Sequence, residues 1–292
     1  MTAALDGATE RDITANGVSL RVVTWGRPTG PDRAVLLVHG ITANCRTWAD
    51  LGPALAARGW FAIAPDLRGR GRSAKPPHGY GIPIHTHDLL ALGDAFELPA
   101  FHVVGHSLGA LIGLYLAALH PERLRRLVLV DAGGTLPPDT YAAIAPALAR
   151  LGETYPSLDA YLAALRETSR LPWEPFGERY YRYDAETRPD GTVVSSVPKG
   201  AIAEEQAAAY FTRTDALPAF VKAPSLIVRA TVGLLGEERG QILPRTEAER
   251  LLGAIPSSRL LEIAGSDHYT VVLTDPFARE VAAFLEEGLG AP

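Results

Sequence analysis

The chain has 292 residues, of which 47% are hydrophobic and 21% are charged, a balance typical of a globular protein with a sizeable buried core. Its net charge of -5 at pH 7 argues against nucleic acid as the main partner. The single cysteine excludes an internal disulfide, so we expect a reducing, cytoplasmic location.

The polar first twelve residues lack the basic start and the apolar run of a signal peptide. The longest apolar stretch, around residues 109–119, is too short to span a bilayer. We therefore expect no membrane partner. The expected partner is a small-molecule substrate, and the expected state is a monomer or a homodimer.

The first half of the chain alternates between strand and helix patterns. Two β-rich runs flank Asn16-Gly17, and both of these residues accept the positive φ of a tight hairpin turn. Unbroken apolar runs then predict buried strands, and the stretches between them predict helices. The predicted strands are residues 34–38, 60–64, 101–104 and 126–130, and the predicted helices are residues 46–58, 84–97 and 107–120. This alternation indicates a parallel sheet with helices on both faces.

The alternation ends after Asp131. Residues 135–220 are rich in tyrosine, proline and helical Ala/Leu patches, and no strand of the buried kind is visible there. Buried-strand patterns return at residues 225–229 and 259–263, and an amphipathic helix at 276–287 closes the chain. We therefore predict a helical insert within one α/β domain. The predicted core domain comprises residues 1–134 and 221–292, and the predicted cap insert comprises residues 135–220.

The stretch Gly105-His-Ser-Leu-Gly109 carries the strongest chemical signal. It directly follows a β run and directly precedes a helical run. A serine at such a sharp strand-to-helix turn is exposed on strained backbone, and its neighbours must be small to avoid clashes. The helix start behind it supplies positive potential and free N–H groups. We predict that Ser107 is a nucleophile and that the N–H of Leu108 stabilises an oxyanion.

A second signal is His39-Gly40 at the end of the strand over residues 34–38. A glycine turn at this point can direct the backbone N–H of Ile41 into the same site. Together with Leu108, Ile41 gives two donors, the usual number for a tetrahedral oxyanion. We also assign His39 to the substrate-binding site.

A base is expected in a late loop after the serine. Among the eight histidines, His268 follows the last predicted strand, as the order Ser…acid…His demands. The acid must lie between them at a strand end, and Asp131 directly ends a strand. The loop after residues 225–229 holds no aspartate, but Glu237 or Glu238 remain alternatives. We favour Asp131.

A metal site is not expected. His85 and His87 are two residues apart, a spacing that does not place both on one face of a helix, and no later Cys/His cluster completes a ligand set. The substrate should enter between the sheet and the insert. Trp173 and Tyr181 are candidates for an aromatic lining there, and Arg170 for a contact with a carboxylate.

Together these residues resemble the α/β-hydrolase superfamily. The resemblance implies an α/β fold with a mostly parallel eight-stranded sheet, helices on both faces, a helical cap between strands six and seven, and no cofactor. Most members carry the acid after strand seven, and a minority carry it after strand six, where Asp131 stands. Residues 229–236 and 267–270 are similar to a branch that includes the hydrolase of 2-(acetamidomethylene)succinate. The matched landmarks are His39-Gly40, Asp66-Leu-Arg-Gly-Arg-Gly-Arg-Ser73, Gly105-His-Ser-Leu-Gly109, Asp131 and Gly265-Ser-Asp-His268.

Three functions remain open at this point. The favoured one is hydrolysis of a carboxylic ester, lactone or amide through a Ser-His-Asp triad and an acyl-enzyme. The second is hydrolysis of a carbon–carbon bond in a ring-cleavage product by the same three residues. The third is a non-catalytic small-molecule receptor on the same fold. A serine at position 107 disfavours dehalogenase or epoxide hydrolase chemistry, which in this superfamily needs a carboxylate nucleophile.

Overall fold

A computed structural model of the chain describes residues 5–28 and 30–289. The start of the polar N-terminal stretch, and with it the first residues of the predicted core domain, lies outside the described residues. So do the last three residues of the chain. Among the described residues, no helix is long and apolar enough to cross a membrane.

One mostly parallel sheet organises the fold. It contains eight strands in the order β1-β2-β4-β3-β5-β6-β9-β10. The β1–β2 and β2–β4 pairs are antiparallel, and the other pairs in this sheet are parallel. The strands are β1 (Ala8–Ala15), β2 (Val18–Trp25), β3 (Ala34–Val38), β4 (Phe61–Pro65), β5 (Phe101–His106), β6 (Leu124–Val130), β7 (Ala185–Thr187), β8 (Val193–Ser195), β9 (Ser225–Ala230) and β10 (Ser258–Ile263).

Helices cover both faces of this sheet. Side chains alternate along β3, so that Leu36 packs in a cluster with α2, α3 and α8, whereas Leu37 packs in a second cluster with α1 and α9. The predicted α/β-hydrolase fold, with its eight-stranded sheet, is therefore confirmed. The helices are α1 (Leu51–Ala56), α2 (Ile82–Ala95), α3 (Leu108–Leu119), α4 (Thr140–Ala149), α5 (Leu158–Thr168), α6 (Glu178–Asp184), α7 (Lys199–Phe211), α8 (Arg245–Ala254) and α9 (Asp275–Glu286).

The single helix predicted over residues 46–58 is wrong. A short 3-10 turn at Cys45–Trp48 precedes α1, which begins only at Leu51. A continuous helix would need an N–H at residue 53 to reach the carbonyl of Ala49, and Pro53 has none. Proline instead sits in the first turn of α1, where no such bond is required.

The segment between β6 and β9 (residues 131–224, here called the intervening segment) contains α4 to α7 and the small antiparallel sheet of β7 and β8. The sequence pattern predicts helices here, and the two short strands were not predicted from it. They are joined by a turn at Pro189-Asp190-Gly191, where Gly191 has a φ of 84°, and such a sequence is a turn signal in its own right. The division into a core domain and a cap stays a prediction.

Candidate active site

Ser107 lies at the sharp turn between β5 and α3. Its backbone has a φ of 56° and a ψ of -118°, an uncommon conformation for a residue with a side chain. The flanking glycines make this turn possible. A Cβ on Gly105 would lie 2.1 Å from the carbonyl oxygen of Gly109, and a Cβ on Gly109 would lie 2.1 Å from that of Val38. Any larger residue at either position would therefore displace the serine.

His268 and Asp131 form a buried pair. The imidazole Nδ1 lies 2.8 Å from Oδ2 of Asp131, and both residues are nearly inaccessible to solvent. The other oxygen, Oδ1, accepts the backbone N–H of Ala230 at 2.9 Å. The carboxylate is thus fixed from two sides, and it orients the imidazole so that Nδ1–H donates and Nε2 keeps a lone pair.

The structure brings Asp131, and neither glutamate, to the histidine. Glu237 and Glu238 are exposed in the loop after β9. Asp131 follows β6 with a φ of 50°, and its N–H donates to the carbonyl of Val228 in the neighbouring strand at 2.7 Å. This anchoring to β9 turns the aspartate towards the loop that carries His268.

The backbone around Ile41 lies close to the serine. A Cβ on Gly40 would be 3.2 Å from Cβ of Ser107 and 3.6 Å from its Oγ. The carbonyl of Gly40 accepts hydrogen bonds from the N–H of Ala43 at 3.2 Å and from Nδ1–H of His39 at 2.8 Å. The carbonyl of Gly40 and the N–H of Ile41 belong to one trans peptide and point in opposite directions. The N–H of Ile41 therefore points away from the side chain of His39 and from the N–H of Ala43.

A single cavity of about 340 Å³ contains these groups. Ser107, His268, Ile41 and Leu108 all line it, and most of its remaining lining is aliphatic or aromatic. Leu108 begins α3, where backbone N–H groups have no partner within the helix. The volume falls in the range of small-molecule sites, roughly 300–1,000 Å³.

Two of the four predicted substrate contacts line this cavity, namely Tyr181 and Arg170. Tyr181 is buried and donates through its hydroxyl to Oγ of Ser169 at 3.0 Å. The guanidinium of Arg170 is half exposed, lies 3.4 Å from the carboxylate of Asp267 and also reaches the carbonyl of Leu234.

The expectation that His39 contacts the substrate is not supported by its position. The side chain is fully buried, and its Nε2 accepts the N–H of Leu67 at 3.0 Å. With Nδ1 on the carbonyl of Gly40, both ring nitrogens are engaged. Burial lowers the pKa of His39 to about 4, so the ring is neutral at physiological pH. His39 therefore holds the backbone at Gly40 and does not line the cavity.

Trp173 also lies outside the cavity lining. Its ring stacks on Tyr181 with 6.2 Å between the ring centroids, and the guanidinium of Arg166 lies 6.0 Å from its centroid. The sequence shows that Trp173 is an aromatic residue of the intervening segment. It does not show whether the ring lines the cavity or packs behind Tyr181. Trp173 supports a lining residue and does not itself line the cavity.

One residue of the site was missed by the sequence analysis. His106, directly before the serine, donates through Nε2–H to the backbone carbonyl of His268 at 2.8 Å. Burial, together with the neighbouring His268, lowers the pKa of His106 well below its usual value, so its ring stays neutral. Its Nδ1 is buried without a hydrogen-bond partner among the described residues. The position of His106 inside the Gly-x-Ser-x-Gly motif could have pointed to this role. Only the serine and the glycines of the motif were interpreted from the sequence.

The described residues contain no group of three or more His, Cys, Asp or Glu side chains arranged to hold a metal ion. The histidine pair of α2 separates as expected from its spacing. His85 is buried, with Nε2 2.7 Å from the carboxylate of Glu205, whereas His87 is exposed. Their positions fit a packed and a solvated histidine.

Comparisons with known proteins identify the family and the fold. Residues 33–273 match a family model described as the alpha/beta hydrolase fold. A protein of Caulobacter segnis named as a carbamate hydrolase, RutD, is 27% identical over 94% of this chain and 98% of its own. The crystal structure of E-2-(acetamidomethylene)succinate hydrolase shares 23% identity over 96% of this chain and 99% of its own, with a TM-score of 0.81. The enol-lactonase of Burkholderia xenovorans shares 22% identity over 95% and 100%, with a TM-score of 0.74. These two structures support the fold alone.

Proposed function

We propose that this chain, which belongs to the α/β-hydrolase family, is a serine hydrolase that cleaves a carboxylic ester, lactone or amide of a small molecule through an acyl-enzyme. The observation that carries the proposal is that His268, which lines the same cavity as Ser107, is paired with Asp131 at 2.8 Å. A hydroxyl on a strained turn, a buried carboxylate–imidazole pair and two backbone donors are the parts that acyl transfer requires.

In the proposed mechanism, Nε2 of His268 takes the proton of Ser107 as Oγ attacks the substrate carbonyl. Asp131 holds the imidazole in the correct tautomer and stabilises the imidazolium that forms. The N–H groups of Ile41 and Leu108 receive the negative charge that develops on the carbonyl oxygen. His268 then protonates the leaving group, and a water molecule activated by the same imidazole hydrolyses the acyl-enzyme.

The substrate class follows from the nucleophile and the cavity. Serine attacks an acyl carbon, and the cavity of about 340 Å³ with its mostly apolar lining suits a small molecule of drug-like size. The name of the Caulobacter relative adds an acyl C–N bond of a carbamate to the candidates. Hydrolysis of a carbon–carbon bond uses the same three residues. Only activity assays with different substrates can therefore distinguish it from hydrolysis of an ester, lactone or amide.

The direct test is labelling with a fluorophosphonate probe. We expect the wild-type chain and a Ser258→Ala control, which removes a hydroxyl bonded at 2.7 Å to the carbonyl of Ile255, to be labelled equally. Ser107→Ala should abolish labelling. Turnover of p-nitrophenyl acetate beside a panel of dienoate ring-cleavage products then assigns the bond type. A wild-type chain that is neither labelled nor active on any of these substrates would be a binding protein, and the proposal would be wrong.

A further inference from the structure

Two buried arginines reach the backbone that carries the proposed oxyanion donor. Nε of Arg70 donates to the carbonyl of Ile41 at 3.0 Å, and Nη2 of Arg150 donates to the carbonyl of Thr42, also at 3.0 Å. The carbonyl of the preceding residue, Gly40, is held by His39 and Ala43. Three consecutive carbonyls in this turn are therefore fixed by hydrogen bonds.

Each arginine is held by a carboxylate of the intervening segment. Glu205 of α7 accepts from Nη2 of Arg70 at 2.9 Å, and Asp184 of α6 accepts from Nη1 of Arg150 at 2.9 Å. Arg70 and Asp184 are fully buried, Glu205 is 1% exposed and Arg150 is 9% exposed. At such burial the ion pairs are weakly screened by solvent, so their geometry is strongly held.

Further contacts fix the plane of each guanidinium. Arg70 also donates through Nη1 to the carbonyl of Arg68 at 2.9 Å, and Arg150 donates to Oγ of Ser195 at 2.6 Å. The guanidinium is a rigid planar fork, so several bonds in different directions leave it little freedom. It can therefore act as a bracket between the intervening segment and the turn at residues 40–43.

We propose that Arg70 and Arg150 are positioning residues that set the place of the Ile41 N–H. Glu205 ties Arg70 to the intervening segment, and Asp184 holds Arg150, which itself belongs to that segment. The inference rests on the proposed function, because it needs an oxyanion at that N–H. Arg70 does not belong to the cavity lining, whereas Arg150 and Glu205 do. The effect of Arg70 on the reaction therefore passes through the backbone and not through substrate contact, and Arg70 is the residue on which the test rests.

The physical reason is the narrow range of distances over which an oxyanion donor works. A donor stabilises the transition state when it lies about 2.7–3.1 Å from the oxyanion, and loss of one donor lowers kcat by about 10²–10³-fold. The peptide that carries the Ile41 carbonyl shares the Cα of Ile41 with the peptide that carries its N–H. We infer that the turn shifts once Arg70 no longer holds the first peptide, and that a movement of the shared Cα displaces the second.

The decisive variant is Arg70→Lys. An ammonium on a flexible stem keeps the charge but cannot bridge the Ile41 carbonyl, the Arg68 carbonyl and Glu205 with one rigid fork. We expect kcat for a p-nitrophenyl ester to fall about 10–100-fold with KM within about twofold of wild type. The affinity for a trifluoromethyl ketone, which forms an oxyanion on Ser107, should fall by the same factor as kcat/KM. The affinity for the product acid should not change.

Arg68→Lys is the matched control. Arg68 lies in the same loop and is also buried, but its guanidinium pairs with Asp88 at 2.6 Å and reaches the carbonyl of Gly79 at 3.0 Å. We expect its kcat and its ketone affinity to stay within about twofold of wild type. Thermal melting of both variants shows whether each has folded.

Glu205→Gln provides a second route if Arg70→Lys does not fold. Glutamine keeps a hydrogen-bond acceptor for Arg70 but removes the charge, so we expect a smaller fall in kcat and in ketone affinity, in the same proportion. Because Glu205 also lines the cavity, its variant must keep the wild-type affinity for the product acid; a loss of that affinity would indicate direct substrate contact and overturn the positioning role. The inference is overturned if Arg70→Lys leaves kcat unchanged, if ketone affinity does not follow kcat/KM, or if Arg68→Lys shows the same losses. A wild-type chain without any turnover would instead overturn the proposed function, and this inference with it.

Discussion

Nδ1 of His268 lies 2.8 Å from Oδ2 of Asp131 across 137 residues of sequence. The contact exists because Asp131 ends β6 while His268 follows β10, and the carboxyl ends of parallel strands share one edge of the sheet. The same edge carries Ser107 after β5 and Gly40 after β3. The sheet therefore gathers groups from four separate parts of the chain.

Asp131→Asn should lower kcat by about 10⁴-fold, because an amide at this position favours the wrong imidazole tautomer while leaving the packing in place. The exposed Glu237 makes no such contact, so Glu237→Gln should leave kcat within about twofold of wild type. Steady-state hydrolysis of a p-nitrophenyl ester measures both. The opposite ranking would place the acid in the loop after β9.

His106→Ala should lower kcat about tenfold, since it removes the donor to the backbone carbonyl of His268 and leaves that buried carbonyl unpaired. Glutamine can place an N–H near the position of the histidine Nε2, so His106→Gln should recover part of the loss. The comparison of kcat for the two variants, at equal melting temperature, is the measurement. If His106→Ala and His106→Gln had the same kcat, the hydrogen bond to the carbonyl of His268 would have no role in turnover.

Gly40→Ala should lower kcat at least tenfold, because the added methyl would lie 3.2 Å from Cβ of Ser107 and one of the two must move. Gly253→Ala in α8 is the control, since its added methyl meets no atom within 4 Å. That control should keep full kcat and gain up to about 1 kcal/mol in the free energy of unfolding. An active Gly40→Ala variant would mean that the serine tolerates displacement.

The free energy of unfolding should fall as the pH is lowered from 6.5 to 4. Burial lowers the pKa of both His39 and His102 to about 4, so between these values the unfolded chain binds protons that the native ring does not. The contribution of each neutral ring to the free energy of unfolding is complete above pH 6.5. As the pH falls from 6.5 towards 4, this contribution decreases by about 1.4 kcal/mol per pH unit for each ring.

Urea unfolding between pH 7 and pH 4.5 measures this loss. His102→Gln should reduce the slope of stability against pH by about one ring's share, whereas His78→Gln, at a side chain that is 87% exposed, should leave the slope unchanged. A His102→Gln variant with the wild-type slope would contradict the assignment.

The sequence predicts the parts of this molecule that depend on local patterns. Apolar runs identify the buried strands, and Asn16-Gly17, with φ values of 47° and 75°, forms the expected hairpin turn. The glycines around Ser107 mark the turn because nothing larger fits there. Asp131 was favoured by its place at a strand end, and the structure brings it to His268.

Contacts between distant side chains were not predictable in the same way. Arg70 and Glu205 are 135 residues apart, and no periodicity links them. His39 adjoins the site in sequence, but its ring turns towards Leu67, whose backbone N–H donates to Nε2. Trp173 and Tyr181 are equal candidates from the sequence, since both are aromatic residues of the intervening segment. Only the packing shows that Tyr181 lines the cavity and that Trp173 stacks on it.

The proposed mechanism passes through a covalent acyl group on one serine, Ser107. The most direct measurement is peptide mass spectrometry of the enzyme quenched with acid while it turns over p-nitrophenyl acetate. We expect one acetyl group on the peptide that contains Ser107, and none on that peptide in Ser107→Ala. Turnover by the wild-type chain with the acetyl group on another residue, or with no acetylated serine at any time after mixing, would contradict it.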